Sequence, residues 1–126
     1  MDKPKLLIVD DDQGIRSQLQ WGIEGFDIAT ADSRENAIKQ LEVHQPHVVT
    51  LDLGLPPDVD GTSEGFAILD ALLNRKPDLK IIVVSASDKT VNSAKALERG
   101  AFEFYPKPVD ISSLQDVLDR ALAAIE

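Results

Sequence analysis

The sequence predicts an α/β domain in which strand and helix alternate five times around a parallel sheet, and three observations carry that expectation. Short apolar runs of strand character alternate with segments of helical period, the order that builds parallel neighbours. The longest clean apolar runs, such as Ile81-Ile82-Val83-Val84, fall far below the roughly 18 residues of a membrane span. The 126 residues are 43% hydrophobic and 28% charged, with no internal repeat, which suits one domain over residues 1–126. A chain of this size buries roughly two-thirds of its unfolded surface, enough for a core without staples.

Lys5-Leu6-Leu7-Ile8-Val9 reads as the first strand. A helix capped near Asp12 follows, with Ile15, Leu19 and Ile23 on one face, the spacing of a buried stripe. Phe26 to Thr30 is the second strand, and Ser33 caps a helix that turns Ala37 and Leu41 inward. His47 to Leu51 is the third strand, and a long loop follows. The third helix opens near Gly65, carries Phe66, Leu69 and Leu73, and stops before Pro77, because a residue preceding proline disfavours the helical conformation. Lys80 to Val84 is strand four, and helix four runs from about Thr90 to Arg99. It ends at Gly100, the residue best suited to a left-handed cap. Phe102 to Tyr105 is strand five, and a last helix from Asp110 sets Ile111, Leu114, Leu118, Leu122 and Ile125 on one stripe.

Composition removes several function classes. Without cysteine there is no thiolate catalysis and no Cys-ligated zinc or iron–sulfur cluster. A formal charge of −9 opposes direct binding of nucleic acid. The start Met1-Asp2-Lys3-Pro4 does not resemble a signal peptide, so the expectation is a cytoplasmic protein without a membrane partner.

In a parallel sheet, ligands gather beyond the carboxyl ends of the strands. Strand one ends in Asp10-Asp11-Asp12, strand three in Asp52, strand four in Ser85, and strand five in Lys107-Pro108. Strand two ends in Thr30-Ala31, as suits a sheet edge. Asp10, Asp11 and Asp52 would converge, and like charges raise one another's pKa unless a cation intervenes. Mg²⁺ is the natural answer, since it takes oxygen ligands and usually binds one or two protein carboxylates. Lys107 adds an ammonium able to pair with Asp52 or a phosphoryl group, and Ser85 adds a hydroxyl donor. Together these are the parts for accepting a phosphoryl group on aspartate. Taken singly, each has a plainer reading as a turn, cap or surface charge.

Ile8-Val9-Asp10-Asp11-Asp12, Leu51-Asp52-Leu53-Gly54-Leu55-Pro56, Val83-Val84-Ser85-Ala86 and Lys107-Pro108 together resemble the receiver domain of bacterial two-component response regulators, across the whole chain. The resemblance implies a single receiver domain over residues 1–126, with a flavodoxin-like doubly wound (βα)₅ fold and strand order 2-1-3-4-5. It implies that a sensor histidine kinase phosphorylates Asp52, that Asp11 ligates Mg²⁺ directly and Asp10 through water, and that Gly54 offers its backbone carbonyl. Ser85 and Lys107 would hold the phosphoryl oxygens, the Lys107-Pro108 bond would be cis, and Phe104 would stand at the aromatic switch position. The implied protein is a switch in transcription control, not an enzyme beyond self-phosphorylation and self-dephosphorylation at Asp52. Phosphorylation would turn Phe104 inward, change the face of helix four, strand five and helix five, and favour a homodimer or release a C-terminal output domain of a longer chain. The Phe102 to Asp110 and Leu55-Pro56-Pro57-Asp58 stretches more narrowly resemble receivers of enhancer-binding activators linked to PEP-CTERM/exosortase systems.

Two features depart from the family pattern. Phe104 lacks the hydroxyl of the tyrosine often found at the switch position. Gly65 lies thirteen positions after Asp52, where the family places the matching glycine after eight. Pro56, Pro57 and Asp60-Gly61 suggest a folded turn in this five-residue insertion. A phosphatase of the haloacid dehalogenase type also uses an aspartate nucleophile with Mg²⁺, but it needs a general acid two residues on, where this chain has Gly54. A flavin binder would need a hydroxyl-rich phosphate loop where this chain has three carboxylates. His44 and His47 fall at the opposite end of the sheet and take no catalytic role. The end at Ala123-Ala124-Ile125-Glu126 fits either a stand-alone regulator or an excised receiver.

Overall fold

The computed structural model describes residues 3–55, 62–86 and 89–125. Pro56, Pro57 and Asp60-Gly61, on which the folded-turn reading rests, and Asp58 of the narrower resemblance lie outside the described residues. The elements follow in strict alternation: β1 (Lys5–Val9), α1 (Gln13–Gly22), β2 (Asp27–Ala31), α2 (Arg34–His44), β3 (Val48–Leu51), α3 (Ser63–Arg75), β4 (Lys80–Ser85), α4 (Lys89–Glu98), β5 (Glu103–Pro106) and α5 (Ile111–Ala123). The strands form one parallel sheet of order β2-β1-β3-β4-β5. This is the doubly wound order that the resemblance implies.

Both sheet faces are covered, which is why the central strands are continuous apolar runs. Leu7, Val9, Val49, Leu51, Ile81 and Val83 face a cluster with Ala37 and Leu41 of α2, Phe66 and Leu69 of α3, and Ala96 of α4. Leu6, Ile8, Val48, Ile82 and Val84 face the other cluster, with Leu19 of α1 and Leu114, Val117 and Leu118 of α5. β2 and β5 are the edges, and the ring of Pro106 sits at the end of β5, where a missing N–H costs no central ladder bond.

Caps set several boundaries. Asp12 accepts hydrogen bonds from the amides of Gly14 and Ile15, and Ser33 accepts from Asn36, satisfying donors that a first turn leaves open. Gly100 has φ +107°, a conformation glycine adopts without a Cβ penalty. Lys107-Pro108 is cis.

The differences from the sequence reading are small and physical. β2 and β5 each start one residue later than expected, because Phe26 and Phe102 pack on the core from the connections before those strands. α3 begins at Ser63 rather than near Gly65, so its first turn includes a buried acid the apolar pattern did not mark. Ile125 lies beyond α5 and is exposed, while Val117 and Ala121 complete the buried stripe.

Leu69 is fully buried whereas Trp21 on α1 is 89% exposed. Leu69→Ala is therefore expected to cost about 2–5 kcal/mol, and Trp21→Ala to stay within about 0.5 kcal/mol of the parent. Chemical denaturation midpoints at constant m-value provide the check.

Candidate phosphoacceptor site

The site grows from strand register. Val9 of β1 pairs with Leu51 of β3, so Asp10 and Asp52 leave the sheet side by side. The Asp52 amide donates to the Val9 carbonyl at 2.9 Å and the Asp10 amide to Ala31 at 3.1 Å. Each aspartate is thus held by one further ladder-type bond beyond its strand. On the other side Ser85 pairs with Pro106, and the Lys107 amide donates to the Ser85 carbonyl at 2.9 Å. Three strand ends therefore aim Asp10, Asp52 and Lys107 at one point.

There the Lys107 ammonium lies 3.2 Å from Asp10 Oδ2 and 3.5 Å from Asp52 Oδ1. Asp10 and Asp52 are buried and Asp11 is exposed, yet one carboxylate oxygen of each lies within 4.8 Å of the others. The Asp12 amide donates to Asp10 Oδ1 at 2.9 Å and the Gly54 amide to Asp52 Oδ1 at 3.3 Å. Ser85 is buried at the end of β4, as its expected position at the rim requires.

Burial lifts the Asp10 carboxyl above its ordinary pKa, while the Asp12 amide and the Lys107 ammonium pull it down. The Asp52 carboxyl is also lifted, first by burial and then by the Asp10 charge, against the pull of Lys107 and the Gly54 amide. Three carboxylates meet one ammonium, which leaves two negative charges unbalanced among the described residues in contact there. That surplus, with oxygen donors only, fits a hard divalent cation rather than a transition metal seeking nitrogen or sulfur.

Asp10, Asp11, Asp52, the Gly54 amide and Lys107 come together here, with Ser85 at the adjacent strand end. His44 and His47 do not: their ring nitrogens meet the Asp27 carbonyl at 2.9 Å and the Lys5 amide at 3.0 Å, at the far end of the sheet. Phe104 needs a correction. The residue is only 7% exposed and belongs to the core cluster with Phe66, Val83 and Ala96, so its inward burial is already made in this structure. Two features escaped the sequence reading. Arg16 Nη1 donates to the Asp10 carbonyl at 2.7 Å, one turn past the Asp12 cap. Arg34 and buried Glu64 form a forked ion pair between the first turns of α2 and α3. Neither residue lies in a strand-end motif, and the second pair is separated by a strand and the long loop.

Residues 6–119 match the family model of the response regulator receiver domain. The chain is 32% identical over 124 residues to the DNA-binding transcriptional regulator NtrC of Azospirillum brasilense, covering 97% of this chain and 25% of that protein. It is 32% identical over 106 residues to the alkaline phosphatase synthesis transcriptional regulatory protein PhoP of Bacillus subtilis, covering 82% of this chain and 42% of that one. The chain thus spans less than half the length of these curated relatives. The receiver domain of NtrX from Brucella abortus superposes with a TM-score of 0.85 at 29% identity, covering 94% of this chain and 98% of that one. A CheY-like receiver domain protein from Methanospirillum hungatei superposes at 0.89 and 25% identity, covering 98% and 97%.

The raised carboxyls of Asp10 and Asp52 set a pH dependence for the metal-free protein. A carboxyl that holds its proton more tightly when folded contributes stability that is complete below its unfolded pKa and is lost as pH rises through the folded one. In EDTA, Asp52→Asn is therefore expected to have a higher Tm than the parent at about pH 7 and to lose that advantage towards about pH 4. Thermal unfolding at both pH values checks it; an advantage that does not change with pH contradicts the burial argument.

Proposed function

The chain belongs to the response regulator receiver domain family, and from that premise we propose that it is the phosphoacceptor switch of a two-component system, with Asp52 receiving a phosphoryl group from a sensor histidine kinase. The observation that carries this reading is the placement of one buried carboxylate, Asp52, against a lysine ammonium and two further carboxylates. The hydrolase alternative has no support: residues 6–119 match the receiver model, and the position that would carry a general acid is Gly54. The family is a signalling switch rather than a catalytic enzyme.

In the proposed transfer, an Asp52 carboxylate oxygen attacks phosphorus. The new O–P bond forms as the bond from phosphorus to the donor breaks, and the donor leaves with that electron pair. Lys107 Nζ, already 3.5 Å from Asp52 Oδ1, then donates to a phosphoryl oxygen, and the Ser85 hydroxyl donates to another. The Gly54 amide donates to Asp52 Oδ1 at 3.3 Å, the oxygen that also faces Lys107, and so orients the carboxylate. Asp10, Asp11, Asp52 and the Gly54 carbonyl would hold Mg²⁺, which when bound supplies positive charge against the carboxylates and the phosphoryl oxygens. Loss of the group is attack of a water oxygen on phosphorus: a new O–P bond forms as the Asp52 O–P bond breaks, Asp52 leaves with that electron pair as the free carboxylate, and the water protons pass to the phosphate and to solvent.

The output reading is narrower than the sequence implied. With Phe104 already buried, little apolar surface is left for its ring to gain. We assign the link from the phosphoryl group to the α4, β5 and α5 face to movement of Ser85 at the end of β4, and that face to a partner copy or to an output domain of a longer, cytoplasmic protein.

Incubation with acetyl phosphate and Mg²⁺ is expected to add one phosphoryl group to the parent and none to Asp52→Asn, read by intact-protein mass spectrometry. An equal phosphorylated fraction in the variant contradicts the assignment. Mg²⁺ at about ten times its dissociation constant is expected to add about 1.4 kcal/mol of stability to the parent. Thermal unfolding should show that gain lost in Asp11→Ala.

A further inference from the structure

Glu64 is a buried acid that the proposed transfer does not use. It stands in the first turn of α3 and is only 7% exposed. Its two oxygens take the fork of Arg34, the first residue of α2, with Arg34 Nε at 2.7 Å from Oε2 and Nη2 on Oε1. A forked guanidinium fixes direction as well as distance, which an ammonium does not. The Thr62 side chain makes no capping bond to α3, and the Arg34 fork ties that turn to α2.

The next residue shows what the tie holds. A Cβ built on Gly65 would lie 2.3 Å from Leu53 Cα and 2.6 Å from the Leu53 carbonyl oxygen. The backbone of α3 therefore rests directly on the residue between Asp52 and Gly54. Leu53 and Leu55 are fully buried, and the Gly54 amide reaches Asp52 Oδ1 at 3.3 Å. A displacement of the α3 first turn cannot be absorbed by side chains there, because backbone meets backbone.

We propose that Arg34 and Glu64 are positioning residues for the phosphoacceptor site, holding α3 against Leu53 so that the Gly54 backbone and the Asp52 carboxylate keep their geometry. This rests on the receiver reading of the site. Partners hydrogen-bonded to metal ligands typically change affinity or activity by about 10–100-fold when removed; Arg34 and Glu64 act one step further out, through Gly65 and Leu53, so the lower end of that range is expected. Arg34→Lys keeps the charge and loses the fork, and Glu64→Gln keeps the shape and loses the charge. Asp70→Asn, which breaks the exposed pair that Asp70 of α3 makes with Arg99 just past α4, is the control.

The test has three readouts on the folded full chain: the Gly54 amide resonance in EDTA, the Mg²⁺ dissociation constant by calorimetry, and the initial rate of phosphoryl uptake from acetyl phosphate. Arg34→Lys and Glu64→Gln are expected to shift the Gly54 resonance, weaken Mg²⁺ about tenfold and slow uptake about tenfold, while Asp70→Asn matches the parent. A lowered Tm with an unmoved Gly54 resonance and unchanged Mg²⁺ affinity means a merely structural pair and overturns the inference. A parent that takes up no phosphoryl group overturns the functional reading instead, and the Gly54 resonance then decides the inference alone. If one of the two variants fails to fold, the same readouts on the other decide the matter.

Discussion

The Lys107 ammonium, set between the carboxylates of Asp10 and Asp52, is the contact on which the site depends. Two buried like charges so close would otherwise lift one another's pKa and open the strand ends. One ammonium reduces that cost without cancelling it, since Asp11 adds a third carboxylate. The residual negative charge is what invites a divalent cation. The same arrangement leaves the Asp52 carboxylate buried and hydrogen-bonded at the strand ends, as its proposed role as acceptor requires.

Such a charge arrangement needs a stiff support. The parallel sheet supplies it, because apolar side chains cover both faces and the ladder bonds continue one residue past the strands to the amides of Asp10, Asp52 and Lys107. Close packing of this kind tolerates little displacement. The approach of Gly65 to Leu53 extends that stiffness from the sheet into α3. The Arg34 and Glu64 pair brings α2 into the same frame. The site is thus held by residues from most of the chain, although few of them touch it.

Much of this was legible in the sequence. A strand buried on both faces is an unbroken apolar run, so β1, β3 and β4 were readable to within a residue, and Asp10 and Asp52 just past β1 and β3, with Ser85 at the end of β4, marked the rim. Caps were equally readable, because Asp12 and Ser33 act on amides two or three residues away. What escaped was non-local. Glu64 and Arg34 are charged residues that look solvent-facing until α2 and α3 are docked, and Arg16 reaches a backbone carbonyl that carries no sequence signal. The burial of Phe104 depends on how α4 packs over β5, which periodicity does not report.

The central claim is that the charge balance at the strand ends makes one carboxylate, that of Asp52, the acceptor. Borohydride reduction of an aspartyl phosphate converts the modified residue to homoserine, so peptide sequencing after phosphorylation and reduction locates the acceptor directly. Homoserine at position 52, and at neither 10 nor 11, is the result this account predicts. Homoserine at Asp10 or Asp11, or none after Mg²⁺-dependent phosphorylation, would contradict it.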